Sequence, residues 1–195
     1  MVDNGMNCLE LVREATPATH RLIEGIPSRQ WNASTPCEGM DVATLVQHLV
    51  GGLDQFAAIP THAESEPAPN RGAVVPALEH HEAPAAYLAS CDRITEAWSA
   101  PGVLERSYAM PWGETPGVML MGFMVIEQVT HGWDLARATG QEPGFGEELA
   151  EATLALARSY DDETIRVPGM FGPVVETASD APAIDRLAAF LGRRP

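Results

Sequence analysis

Glu127 and His131 are the residues in this chain whose types and spacing best fit a metal-binding or catalytic role. They lie four positions apart, and a spacing of four returns a side chain to nearly the same helical face, about 6 Å along the axis. Glu127 directly follows a run, Val118 to Ile126, that is apolar apart from Gly122. A carboxylate in such a setting costs free energy unless a charged group pairs with it. A divalent metal is one such partner, so this pair predicts half of a metal site.

The alternative interpretation of the pair is a helix-surface Glu beside a weakly cationic His. Such a pair would contribute only about 0.2–0.5 kcal/mol to helix stability. It explains Glu127 less well, because the preceding turns are so apolar. The metal-ligand interpretation is therefore favoured.

His48 is the expected third ligand. A catalytic zinc site uses three protein ligands and leaves a position open for water or substrate, and the segment around Glu127 supplies only two. His48 lies within or beside the apolar stripe of another predicted helix, where a lone His is more often a satisfied core residue. His20 is the reserve ligand. The remaining histidines flank a loop without an apolar setting and are expected in solvent: His62, His80 and His81.

Asp134 lies three residues after His131 on a neighbouring part of the same face. It is either an outer acceptor that fixes the imidazole tautomer or the partner of Arg137 or Arg21 in a salt bridge. The spacing leaves both interpretations open.

Cys37 precedes a predicted helix, where a thiol can have a lowered pKa. No neighbouring base is evident in TPCEGM, which favours a buried spectator. Trp112 and Trp133 could line a pocket, although aromatic residues are more often part of the core.

The apolar periodicity predicts an all-α fold. Asp41 is a plausible N-cap for the second helix, while Pro17 predicts a kink or break in the first. A long mobile loop is expected at 59–75 and a short extended piece at 104–110. The chain is expected to form a single domain over 1–195 with a tail from about 161 to 195. The predicted helices span 6–25, 42–58, 83–98, 116–140, 146–160 and 183–192.

The composition narrows the function classes. A formal net charge of −15 argues against a nucleic-acid surface and against an anionic membrane surface. Three widely spaced cysteines fit free thiols in a reducing compartment. No signal peptide is recognisable, and no apolar run reaches the ~18 residues of a transmembrane helix. The sequence therefore predicts a cytoplasmic protein.

Several segments together resemble the DinB/YfiT-like metal-binding superfamily, in the actinobacterial branch related to mycothiol-dependent maleylpyruvate isomerase. They are STPCEGMDVATLVQHLVGG, the Glu127-x-x-x-His131 pair, HGWDLARATGQ and the tail FGPVVETASDAPAIDRLAAFLGR. The resemblance implies a DinB-like four-helix bundle, here with long connections and a short C-terminal helix. It also implies a divalent metal, often zinc or nickel, held by His48, Glu127 and His131, and a homodimer.

The resulting expectation is a thiol-dependent transferase or isomerase that acts on an electrophilic small molecule. Mycothiol is the thiol that the resemblance implies, and the sequence assigns neither a general base nor thiol-binding residues. The isomerase also carries an extra C-terminal domain, for which the residues after Gly140 are too few. Two alternatives therefore stay open: a metal-binding protein without turnover, acting as a sensor, store or partner-binding bundle, and a metal-dependent hydrolase.

Overall fold

Helices make up most of the described structure. The computed structural model describes residues 7–61, 77–166 and 170–195. Short 3-10 turns occur at Ser28–Gln30 and Ile59–Thr61, and most of the loop expected at 59–75 lies outside the described residues. The α-helices are α1 (Cys8–Glu24), α2 (Val42–Ala58), α3 (Ala83–Trp98), α4 (Gly117–Thr139), α5 (Glu147–Arg158), α6 (Asp162–Ile165) and α7 (Ala183–Phe190).

A two-stranded hairpin corrects the all-α expectation. Strands β1 (Ser107–Met110) and β2 (Gly113–Pro116) pair antiparallel. The sequence indicated an extended piece near β1 but not its partner, because Gly and Pro at the ends of β2 are poor strand formers. Trp112, in the turn, is 45% exposed and does not belong to the core.

Two proline and glycine expectations had different outcomes. Pro116 occupies the N-cap of α4, and Gly140, with a left-handed φ of 71°, occupies its C-cap. This helix therefore begins and ends where the proline and the glycine predicted. Pro17, by contrast, does not break α1, which runs uninterrupted from Cys8 to Glu24. Ala15 and Ala18 on either side of it are buried, and tertiary packing outweighs local helix propensity.

The long helix α4 lies between two apolar clusters. One side packs with α1, α2, α3 and the hairpin through residues such as Leu120 and Met121. The other side packs with α5 and α7 through Phe123 and Ile126. A helix covered on both sides is hydrophobic nearly all round, which explains the apolar run before Glu127.

Each of the first four helices packs against two others of the set. Helix α1 contacts α3 and α4, and α2 likewise contacts α3 and α4. Helix α7 packs on α5 and α4, which brings the end of the chain towards the helix that carries His131. Within the described ranges, no helix combines the length and apolar character needed to cross a membrane.

Candidate metal site

Helix α2 holds His48 at the edge of the site. Asp41 caps the helix, and its carboxylate accepts the Thr44 backbone N–H at 2.8 Å. Leu45 and Leu49 are buried beside His48. The His48 side chain is itself 40% exposed, so the site is open to solvent on this side.

Glu127 lies between the imidazoles of His48 and His131, the two histidines predicted as ligands. Its Oε2 lies 2.9 Å from His48 Nε2 and 3.2 Å from His131 Nε2. The two rings are nearly perpendicular, at 88°, with centroids 5.1 Å apart. The three donor atoms all lie within 4.8 Å of one another, so the residues predicted as ligands do converge.

Asp134 sets the orientation of the His131 ring. Its Oδ2 lies 3.0 Å from His131 Nδ1, and the carboxylate is fully buried. An ionised carboxylate only accepts hydrogen bonds, so Nδ1–H donates and Nε2 faces Glu127. This is the arrangement in which carboxylates orient metal-binding histidines in proteins.

Asp134 thus accepts from His131, and the salt bridge expected with Arg137 or Arg21 is formed with a different cation. Its salt-bridge partner in the described structure is neither Arg137 nor Arg21 but Arg193, with Nη2 at 3.0 Å from Oδ2 and Nε at 3.2 Å from Oδ1. Arg137 instead lies over the Trp133 ring at 5.3 Å. Arg193 is 59 positions from Asp134, and no local pattern links residues at that distance.

Charge pairing controls the protonation of this cluster. Burial alone would lower the pKa of His131, but Glu127 and Asp134 outweigh it and raise that pKa to about 9. Burial would raise the pKa of Glu127, yet the two imidazoles hold it well below its ordinary value. Asp134 also has a lowered pKa, because His131 and Arg193 outweigh its burial. Without a metal, His131 is thus a cation between two carboxylates.

The donor spacing fits a small cation. Ligands at about 2.0–2.1 Å from a tetrahedral ion lie roughly 3.3–3.4 Å from one another. The two contacts of Glu127, at 2.9 and 3.2 Å, are close to that spacing. Two imidazoles and a carboxylate are also ligands that zinc and nickel accept.

Cys37 lies closer to the site than the sequence indicated. Its Sγ and donor atoms of His131 and Asp134 lie within 4.8 Å of one another. The thiol is half-buried, and burial raises its pKa to about 11. It therefore remains protonated at neutral pH, in line with the spectator interpretation.

The other histidines lie apart from this cluster or outside the described ranges. His20 joins neither group of donor side chains found among the described residues. His81 is exposed, as expected, but His80 is half-buried, hydrogen-bonds the Ile26 carbonyl at 2.8 Å and packs edge-on against Trp31. The expectation that His80 faces solvent was wrong. His62 lies outside the described residues.

Trp133 belongs to the core. It is 1% exposed and donates its indole N–H to Asp185 at 2.8 Å, which links α4 to α7. The bond fixes the helix that carries His131 against the C-terminal part of the chain.

Comparison with known proteins places the chain in a family. Residues 12–136 match the mycothiol maleylpyruvate isomerase N-terminal domain. The chain is also 33% identical to the uncharacterized proteins MT0763 and Rv0738 from two strains of Mycobacterium tuberculosis. Each of these alignments covers 96% of this chain and 98% of the relative. This chain therefore belongs to the family of the mycothiol maleylpyruvate isomerase N-terminal domain.

Proposed function

We propose that the protein binds a divalent metal through His48, Glu127 and His131 and uses it with a low-molecular-weight thiol. The reaction would be transfer to, or isomerisation of, an electrophilic small molecule, with mycothiol as the thiol. The observation that carries this proposal is the convergence of three donor atoms, with His131 oriented by the buried Asp134. Family membership supports the choice of thiol.

The packing of the first four helices supports the same assignment. The mutual packing of α1, α2, α3 and α4 is the arrangement expected of a DinB-like four-helix bundle. Bundles build metal sites from side chains on facing helices, and here α2 and α4 supply the donors. A single domain over 1–195, a homodimer and a cytoplasmic location remain predictions.

The charges of the site favour an anionic ligand. A bound dication would lower the pKa of a thiol and leave a nucleophilic thiolate at neutral pH. The charge of Asp134 is neutralised by Arg193. Of the three predicted ligands, Glu127 would therefore be the one that brings a negative charge to the metal. A dication would then retain net positive charge, which stabilises a thiolate.

The thiol would have to come from outside the chain. Among the described cysteines, Cys37 lies near His131 and Asp134, but its Sγ does not join His48 and Glu127 in the cluster of predicted ligands. The half-exposed edge at His48 provides an approach for a soluble thiol. Both observations favour a thiol cosubstrate over an internal cysteine nucleophile.

A metal-binding protein without turnover is the second candidate. The described carboxylates at the site, Glu127 and Asp134, are both paired, so neither is available as a general base. Under this alternative the site would bind metal and catalyse nothing. A metal-dependent hydrolase would use the same ligands.

The test combines metal analysis with turnover. The purified chain is analysed for zinc and nickel, reloaded with each, and assayed with mycothiol against a panel of electrophiles. We expect stoichiometric metal and thiol-dependent conjugation or isomerisation, both lost in His48→Ala and His131→Ala. The exposed His81→Ala is the matched control and should behave as the wild type.

The outcomes separate the candidates. Metal binding without turnover across the panel would favour the non-catalytic protein, and hydrolysis without thiol would favour the hydrolase. Absence of any metal affinity would overturn the proposal, and His81→Ala losing as much metal as His48→Ala would overturn the ligand set.

A further inference from the structure

We infer that Arg193 is a positioning residue of the metal site, acting on His131 through Asp134. The inference rests on the proposed metal site and extends it to the C-terminal segment. Arg193 lies outside the 12–136 range that matches the family. The site would thus be built from α2, α4 and the end of the chain.

The contact geometry supports this role. Asp134 Oδ2 is shared between His131 Nδ1 and Arg193 Nη2, both at 3.0 Å, while Oδ1 receives Arg193 Nε at 3.2 Å. The planar guanidinium fork fixes the plane of the carboxylate it binds. That plane in turn sets the direction in which the His131 ring points its Nε2.

The backbone around Arg193 leaves it little freedom. Gly192 has a φ of +89°, and a Cβ built there would lie 2.6 Å from the Gly172 Cα. Few residues other than glycine suit a left-handed φ, and here the space is also missing. Arg193 N–H then bonds the Ala188 carbonyl at 2.9 Å, and Nη1 bonds the Leu191 carbonyl at 3.0 Å. The segment therefore presents the guanidinium to Asp134 in one position.

A variant of a second arginine, Arg166, can distinguish the positioning of His131 from simple anchoring of the C-terminal segment. Arg166 Nη2 bonds the Phe190 carbonyl at 3.2 Å, and its Nε bonds Asp162 at 2.8 Å. It stabilises the same C-terminal segment, but its partners within the described part of the chain do not include a residue of the candidate site. Arg166→Met is thus the matched control for Arg193→Met.

The first measurement is zinc affinity of the full chain by chelator competition. We expect Arg193→Met to weaken zinc binding by about 10–100-fold, the usual effect of removing an outer partner of a metal ligand. Arg193→Lys, which keeps the charge but not the fork, should fall between it and the wild type. Arg166→Met should bind zinc as the wild type does, even if it unfolds at a lower temperature.

The second measurement needs no metal. The His131 Nδ1–H proton, identified by its loss in His131→Gln, is followed by ¹H–¹⁵N NMR of the metal-free protein. We expect a slowly exchanging signal in the wild type and in Arg166→Met, and its loss or rapid exchange in Arg193→Met. Should Arg193→Met fail to fold, Arg193→Lys, which keeps the charge and most of the side-chain volume, gives the same comparison.

The two measurements test different proposals, so a negative result in one can be told apart from a negative result in the other. A wild type that binds no zinc contradicts the proposed function, while the ring signal still decides the role of Arg193. Wild-type zinc affinity together with an unchanged His131 signal in the folded Arg193 variants would overturn the inference. Equal losses in the Arg166 and Arg193 variants would reduce Arg193 to an anchor of the tail.

Discussion

Glu127 and His48 lie 79 positions apart in sequence, and Glu127 Oε2 is 2.9 Å from His48 Nε2. This contact joins α2 to α4 at the point where His131 also reaches the carboxylate. The two helices that supply the proposed ligands are therefore held together by contacts between the predicted ligands themselves.

Glu127→Gln should abolish the stabilisation by metal. A ligand that binds only the native state raises stability by about 4 kcal/mol at a thousandfold excess over its dissociation constant. We expect zinc to raise the unfolding temperature of the wild type relative to EDTA, and to leave that of Glu127→Gln unchanged. The measurement is thermal unfolding with zinc and with EDTA. Glu96→Gln, an exposed change on α3, is the control, and a zinc response retained by Glu127→Gln would argue against this ligand.

The pKa of His131 predicts opposite pH trends for stability and for metal affinity. This pKa is raised from 6.5 to about 9 in the folded, metal-free protein. The stability it contributes is therefore fully present below pH 6.5 and lost as the pH rises towards 9. Because a metal must displace the Nε2 proton, apparent affinity should rise about tenfold per pH unit over the same window.

Proton release can be counted to check these trends. Calorimetric zinc titrations at pH 7.5 in buffers of different ionisation enthalpy should show nearly a full proton released from His131. Denaturant unfolding of the metal-free chain should show stability falling between pH 6.5 and about 9. Flat profiles for both quantities across this range would mean that His131 is neutral in the metal-free protein.

Asp41 should stabilise α2 as a pH-dependent cap. Its pKa is lowered mainly by hydrogen bonding to Thr44. The contribution of this charge is thus present above the ordinary pKa of 3.8 and lost as the pH falls through the lower folded value. We expect Asp41→Ala to lower the free energy of unfolding by about 1 kcal/mol at neutral pH. Asp41→Asn should retain most of the cap and lose its acid sensitivity, as followed by urea unfolding.

Gly132 should be intolerant of a side chain. A Cβ at this position would lie 2.4 Å from Phe145 Cζ and 3.3 Å from Thr19 Oγ1. We expect Gly132→Ala to cost about 1–3 kcal/mol through overpacking beside His131. At Gly52, in α2, a Cβ meets nothing within 4 Å, so Gly52→Ala should stabilise by about 0.4–1 kcal/mol. Chemical unfolding of the two variants measures both effects, and equal effects would contradict the packing argument.

Local patterns accounted for much of the site. Glu127 and His131 share a face because the helical period requires it, and His48 is the predicted third ligand because two donors leave a catalytic metal site incomplete. The position of α2 was also predictable, since Asp41 stands at its start and its apolar stripe is regular. These features depend on neighbours within one or two helical turns.

Long-range packing decided the rest. The Arg193–Asp134 pair, the approach of Cys37 and the continuity of α1 through Pro17 each depend on contacts between segments that are distant in sequence. The sequence by itself determined the helices from α1 to α5 and α7, although not the short α6, and which face of α4 carries the carboxylate and imidazole. Only the tertiary structure decided which cation neutralises Asp134, because that pairing requires the last helix to pack on α4 before the two charges can meet.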